Sequence, residues 1–428
     1  MNLLIKSVQL LSEGHPFHRK ECDVYVENGV YKKFATGIDI KECARDTQVY
    51  DAEDQFLSIG WMDMRVNFRE PGHEQKETIA SGLNAAAAGG FTAVLLMPST
   101  NPSLQTRADI EFVKSKSQSH VTTLYPAGSL TLNREGKELC ELYDMQQGGA
   151  VAFTDDKKFL KDSGVMMRAL QYAGNISSRV ITYADDEYLS GNSLANESAT
   201  TTLLGFKGSP ALAEEIALQR ELSLCNYTNT ALHVSGISTA GAVNVLREAK
   251  KRGANVTAEV YAHHLVLTDE SLNEFDSNYK VKPPLRSQED VEALRKAVAD
   301  GTIDVIVSDH SPQDIESKDV EYDNAGFGMI GLETSFAVLH TALKDLPLEK
   351  IIACISTNPR KILGLPAPLV KEGEEANFTL FNPQEKWTFS KEDIYSLSRN
   401  TPFVGAEFKG RAKAVYANRL FFQAFYKK

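Results

Sequence analysis

Between residues 56 and 367 the chain repeats one pattern: a short apolar run, one or two polar residues at its end, then a helical stretch. TAVLLMP (92–98) follows KETIASGLNAAAA, HVTTLYPAG (120–128) leads to KELCELYDMQ, and AVAF (150–153) precedes FLKDSGVMMRALQYAG. RVITYADD (179–186), TALHVSGIS (230–238) with AGAVNVLREAKKRG after it, NVTAEVYAHHL (255–265) and IDVIVSDHSP (303–312) continue the series. Strand–helix alternation over some three hundred residues predicts parallel strands covered by helices, and about eight polar-tipped strand ends fit a (β/α)8 barrel. A doubly wound open sheet is the structural alternative. It calls for a glycine-rich phosphate fingerprint, and the chain has neither GxGxxG nor a Walker sequence; AAAAGG (85–90) reads as a helix stopped by glycine.

The two ends read differently. LLIKSVQLL (3–11) and CDVYVENGVYKKFA (22–35), with Asn28-Gly29 between two alternating runs, predict strands and a hairpin. ANFTLFNP, KWTFS and GRAKAVYANRLFFQ near the other end are also strand-like. Residues 1–55 and 368–428 are therefore expected to form a small β-sandwich domain beside a barrel of residues 56–367.

Composition narrows the class. Of 428 residues 42% are hydrophobic, enough for a large core, and the formal charge of −11 argues against a nucleic-acid or anionic-membrane binder. No apolar stretch reaches the eighteen or so residues of a membrane span, and the N-terminus alternates like a strand rather than a signal peptide. Five scattered cysteines without a CxxC fit a reduced, cytoplasmic protein.

In a barrel, chemistry belongs to the C-terminal ends of the strands. GWMDMRVNFREPG (60–72) puts Asp63, Arg65, Asn67 and Arg69 at alternate positions, on one face if the segment is extended. Later ends offer Ser99 and Asn101, Asp155 and Asp156, Tyr183 and Asp185, His233, Ser235 and Gly236, His263 and His264, Lys282, then Asp309, His310 and Gln313. Asp156, Asp309, His233, His263, His264 and His310 could supply a mononuclear metal site, yet no HxH, HExxH or cysteine cluster is present, and each histidine could equally cap a strand. Asp309 is the best candidate general base, or else a turn aspartate capping amides. Arg69 could clamp a substrate carboxylate or pair with a nearby aspartate.

REPGHEQKETIASGLNAAAAGGFTAVLLMPSTNP, AFTDD, SLANESA, KVKPPLR, GTIDVIVSDHSP, GFGMIGLET and NTPFVG together resemble the dihydroorotases, amidohydrolase-superfamily enzymes that interconvert carbamoyl aspartate and dihydroorotate. The resemblance implies a (β/α)8 barrel with a small β domain from both chain ends, and a site for one or two zinc ions. It implies metal positions at Asp156 and Asp309, the latter also the general acid and base. Arg65, Asn67, Tyr183 and Gly236 stand where the family has histidines. Of the substrate positions, Arg69 is kept, while Ser99, Lys282 and Gln313 replace two asparagines and a histidine. A guanidinium has no lone pair for a metal. Arg65, and Lys282 with it, would instead neutralise the two aspartates. The resemblance thus points to a metal-ligand-depleted homologue without a cofactor, acting as a structural or regulatory partner, with aspartate transcarbamoylase the partner by family analogy and a homodimer the expected state. The alternative is an active dihydroorotase that uses zinc through displaced ligands such as His233, His263 or His264. Arg69, Lys282 and Arg65 could also form a pocket for a small dicarboxylate.

Overall fold

The computed structural model describes residues 1–424; the last four residues of the expected small β domain, 425–428, lie outside it. Strands β1 (Leu3–Leu11), β2 (Glu21–Glu27), β3 (Val30–Ala35), β4 (Gln48–Asp51) and β5 (Phe56–Ile59) from the N-terminus join β16 (Phe378–Thr388), β17 (Glu407–Ala417) and β18 (Leu420–Gln423) from the C-terminus in one eight-stranded sheet. Its order is β18-β17-β16-β5-β1-β2-β3, with β4 also paired to β1. The β2–β3 hairpin turns at Asn28 and Gly29, both at positive φ, which is why an Asn-Gly pair stands there. β5 belongs to this sheet, and the barrel begins one residue later.

The barrel strands are β6 (Trp61–Val66), β7 (Phe91–Leu96), β8 (Thr123–Gly128), β9 (Ala152–Phe153), β10 (Arg179–Tyr183), β13 (Leu232–Ser235), β14 (Val256–Tyr261) and β15 (Val305–Val307). They pair in parallel in sequence order, and the ring closes where Val66 bridges His310 and Asn67 N donates to His310 O at 2.9 Å. A short pair, β11 (Ala195–Asn196) with β12 (Gly208–Ser209), lies in the connection after β10.

Alternation along the strands builds two apolar layers. Met62, Ala93, Leu95, Ala127, Ala152, Ile181, Tyr261, Val305 and Val307 cluster inside the barrel. Val94, Leu96, Val180, Leu232, Val234, Val260 and Ile306 join the outer cluster with helix residues such as Leu83, Leu170, Leu222, Leu246 and Leu294. Thr78, Thr106, Ser198 and Ser287 each begin a helix with a capping box, which fixes where the chain leaves the loops at the barrel mouth.

Candidate functional site at the barrel mouth

The opening strand departs from plain alternation. Asp63 pairs with Val94 and Val66 with Leu96, so three steps on β6 face two on β7. This extra residue is a bulge, a device that re-aims a side chain. It turns Arg65 into the barrel, where it is fully buried. Arg65 and Asn67 share a target, Asp156, but Asp63 and Arg69 do not join them. Asp63 accepts from Ser308 N and Arg65 N at the seam. Arg69 leaves the extended backbone at φ 62, and its Nε donates to Pro312 O at 3.1 Å, not to an aspartate.

Arg65 holds the centre. Its NH2 bonds Asp156, its Nε donates to Asp309 Oδ1 at 3.2 Å, and its NH1 donates to Ser235 Oγ at 2.8 Å. Glu259 lies 3.9 Å from NH1, and the guanidinium sits 5.3 Å from the centroid of the Tyr261 ring. Both aspartates adopt the left-handed backbone conformation, Asp156 at φ 58 and Asp309 at φ 52, and both carboxylates meet the same guanidinium. Lys157 Nζ completes the cluster, 2.7 Å from Asp309 Oδ2 and 5.0 Å from the Tyr261 ring centroid. Asn67 Nδ2 donates to Ser99 Oγ at 2.6 Å and to Asp156 Oδ2 at 3.2 Å.

The electrostatics follow from this packing. Burial alone would raise the Asp156 pKa, but the charges of Arg65 and Lys157 overcome it and hold the carboxyl down to about 2. Burial works against the Arg65 charge, and Tyr261, Asp156, Asp309 and Glu259 more than offset it, so its pKa is raised. Burial, aided by Arg65, lowers the Lys157 pKa against the pull of Asp309.

Other sequence candidates have separate tasks. Lys282 does not reach the central aspartates: its Nζ lies 3.2 Å from Asp185 Oδ2 and 5.5 Å from the Tyr183 ring centroid, because its loop follows the outer rim of the mouth. The cation that joins Arg65 is Lys157. Gln313 bridges Lys76 Nζ and Phe327 O. Arg69, Lys282 and Arg65 are thus turned to different partners, Pro312 O, Asp185 and the central aspartates respectively. Asp155 accepts from the backbone amides of Leu130 and Thr131. His233 lies between Thr257 and Glu259, His264 donates to the carbonyls of Pro283 and Pro284, and His310 faces Glu77 and the amide of Gly331. His263 is pushed down to about 3 by burial and then by Lys157. The hydrogen bonds of His233, His264 and His310 thus run to Thr257, Glu259, Pro283, Pro284, Glu77 and Gly331, and among the described residues none runs to Asp156 or Asp309.

Lys157, Glu259 and Tyr261 escaped the sequence reading. Thr257, Glu259 and Tyr261 lie two apart on β14, and that spacing is the sequence signal for an inward polar row.

A zinc site of the family's kind does not fit these residues. A guanidinium, an amide and a phenol whose pKa burial raises well above its usual value offer a cation poor donors. At Gly236, which has φ 70, a Cβ would meet the Tyr261 hydroxyl at 2.8 Å, so a larger side chain there would require the tyrosine beside Arg65 to shift. Among the described residues no group of three or more His, Cys, Asp or Glu is placed to hold a metal.

The family model described as Dihydro-orotase-like matches residues 55–242. The chain is 42% identical over 395 residues to the dihydroorotase of Pelotomaculum thermopropionicum, covering 91% of both chains. It is 41% identical to that of Carboxydothermus hydrogenoformans, covering 96% of this chain and 95% of the relative. This chain belongs to the dihydroorotase family. Among solved structures, L-hydantoinase (dihydropyrimidinase) from Arthrobacter aurescens superposes with a TM-score of 0.84 at 22% identity, over 98% of this chain and 95% of that one. D-hydantoinase from Thermus sp. follows at 0.83 and 22%, over 98% and 94%. These establish that the dihydroorotase-family chain has the barrel-plus-β-domain fold of the hydantoinases. No helix among its described residues is long and apolar enough to cross a membrane.

Proposed function

We propose that this dihydroorotase-family protein lacks zinc-dependent hydrolysis and acts as a structural or regulatory partner in pyrimidine synthesis, with aspartate transcarbamoylase as the enzyme it supports. One observation carries the reading: Arg65 is bonded to both Asp156 and Asp309, the two acidic positions that the family assigns to metal. Lys157 adds a second fixed positive charge on Asp309. Asp309 thus accepts from a fixed cation on each oxygen, Arg65 on Oδ1 and Lys157 on Oδ2. The partner and a homodimeric state rest on family analogy, which is association rather than geometry.

Metal analysis of the purified protein together with a dihydroorotate assay in both directions tests the reading. The expected outcome is no stoichiometric zinc and no turnover. Mixing with aspartate transcarbamoylase on a sizing column should give a joint peak. A second reading, an active dihydroorotase with atypical ligands, draws on the identity of about two-fifths with relatives named for that activity. Zinc at one equivalent with measurable turnover would establish it in place of the first.

A further inference from the structure

Beside the Arg65 cluster, on the rim between β10 and the 280–286 loop, lies a cavity of about 280 Å3. Its apolar lining includes Tyr183, Leu194, Pro283 and Phe327. Its lining also holds the Lys282–Asp185 pair, with Nζ and Oδ2 3.2 Å apart. None of the residues that bond Arg65 lines it.

Three features define what it would hold. First, its charges balance: Lys280, Lys282 and Arg286 are matched by Asp185, Glu214 and Asp323. A dianion would leave an excess of negative charge there, whereas a molecule carrying one charge of each sign would not. Second, Lys282 only donates and a carboxylate only accepts, so the pair offers one site for an anion and, next to it, one for a cation. Third, the walls are fixed in advance. His264 bonds the carbonyls of Pro283 and Pro284, Lys280 Nζ donates to Tyr322 O at 2.7 Å, and Arg286 donates to Asn196 Oδ1 and Ser209 O, both at 2.9 Å. A pocket already ordered spends little binding energy on closing.

We propose that this cavity binds an α-amino acid zwitterion with an aromatic or branched aliphatic side chain. Its carboxylate meets Lys282, its ammonium meets Asp185, and its side chain fills the space lined by Tyr183, Leu194, Pro283 and Phe327. The proposal does not depend on whether the central site hydrolyses anything, because metal content and turnover decide that question and binding decides this one.

Calorimetric titration of the full chain with L-phenylalanine and with L-leucine is the test, alongside N-acetyl-L-phenylalanine, which lacks the ammonium, and L-phenylalaninamide, which lacks the carboxylate. At least one free amino acid should bind with a dissociation constant at or below about 1 mM. Each capped form, and each of the variants Lys282→Met and Asp185→Asn, should bind about tenfold more weakly or worse, since each loses a charge-assisted hydrogen bond. Arg69→Ala should bind as the parent does. Circular dichroism confirms that each variant is folded. Absence of heat at millimolar ligand, equal binding of the capped forms, or indifference to both rim variants would overturn the proposal. So would loss of binding in Arg69→Ala, which would place the ligand at the centre of the mouth.

Discussion

Arg65 and Lys282 are both cations set beside aspartates at the same barrel mouth, yet they live under different physics. The Arg65 side chain is 1% exposed and meets three carboxylates, whereas that of Lys282 is 32% exposed and meets one. Out of water, a charge must be matched group for group, and in the inner cluster Asp156, Asp309 and Glu259 share the one guanidinium. At the rim, solvent shares the work, and the pair stays available to a third group. The contrast teaches that the retained aspartates are not evidence of retained chemistry: what they touch decides their role.

The comparison breaks most readily at Arg65. Arg65→Met strands Asp156, Asp309 and Glu259 without their common counter-charge and should cost about 3–5 kcal/mol in urea unfolding. Added zinc should then raise the unfolding midpoint of this variant more than that of the parent, because a divalent ion can replace the missing charge. Equal responses of the two proteins would sink the charge-replacement reading. Lys157→Met removes one of two partners of Asp309 and leaves Arg65 in place, so the cost should fall to about 1.5–3 kcal/mol in the same measurement.

Acid titration sharpens the same contrast. The Asp156 carboxyl is held at about 2 in the fold, against about 3.9 in an unfolded chain. The folded form therefore binds fewer protons in that interval. The stabilising contribution is complete above about pH 4 and is lost as the pH falls through about 2. In Arg65→Met the acid limb of the stability curve should move to higher pH, and an unmoved limb would show that Arg65 does not hold the carboxylate ionised. The smallest effect is expected at the rim: Lys282→Met should change stability by no more than about 1 kcal/mol. A loss as large as that at Lys157 would mean that the Lys282 pair is structural.

Much of this was legible beforehand. Short apolar runs ending in polar residues announced the barrel, and Asn28-Gly29 announced its hairpin, because periodicity and turn chemistry are local. The pairing of Arg65 with the aspartates was also legible, but only through the resemblance to the dihydroorotases, which places all three at metal positions. The wrong second cation, Lys282 in place of Lys157, was not avoidable by such reasoning. Both follow strand ends, and loop paths decide which one turns inward. The bulge in β6 was equally hidden, since one extra residue against a neighbouring strand has no mark in the strand itself.

The sequence by itself determined the layered barrel and the terminal strands, because these depend on residue types and their local period; that Arg65, Asn67, Tyr183 and Gly236 stand at histidine positions came from the family resemblance. Only the tertiary structure decided that Arg65 fills the centre, that Tyr261 crowds Gly236 and that a charge-balanced cavity remains at the rim. Those depend on which side chains from distant strands meet in a space without water, where each charge is stable only beside its partner.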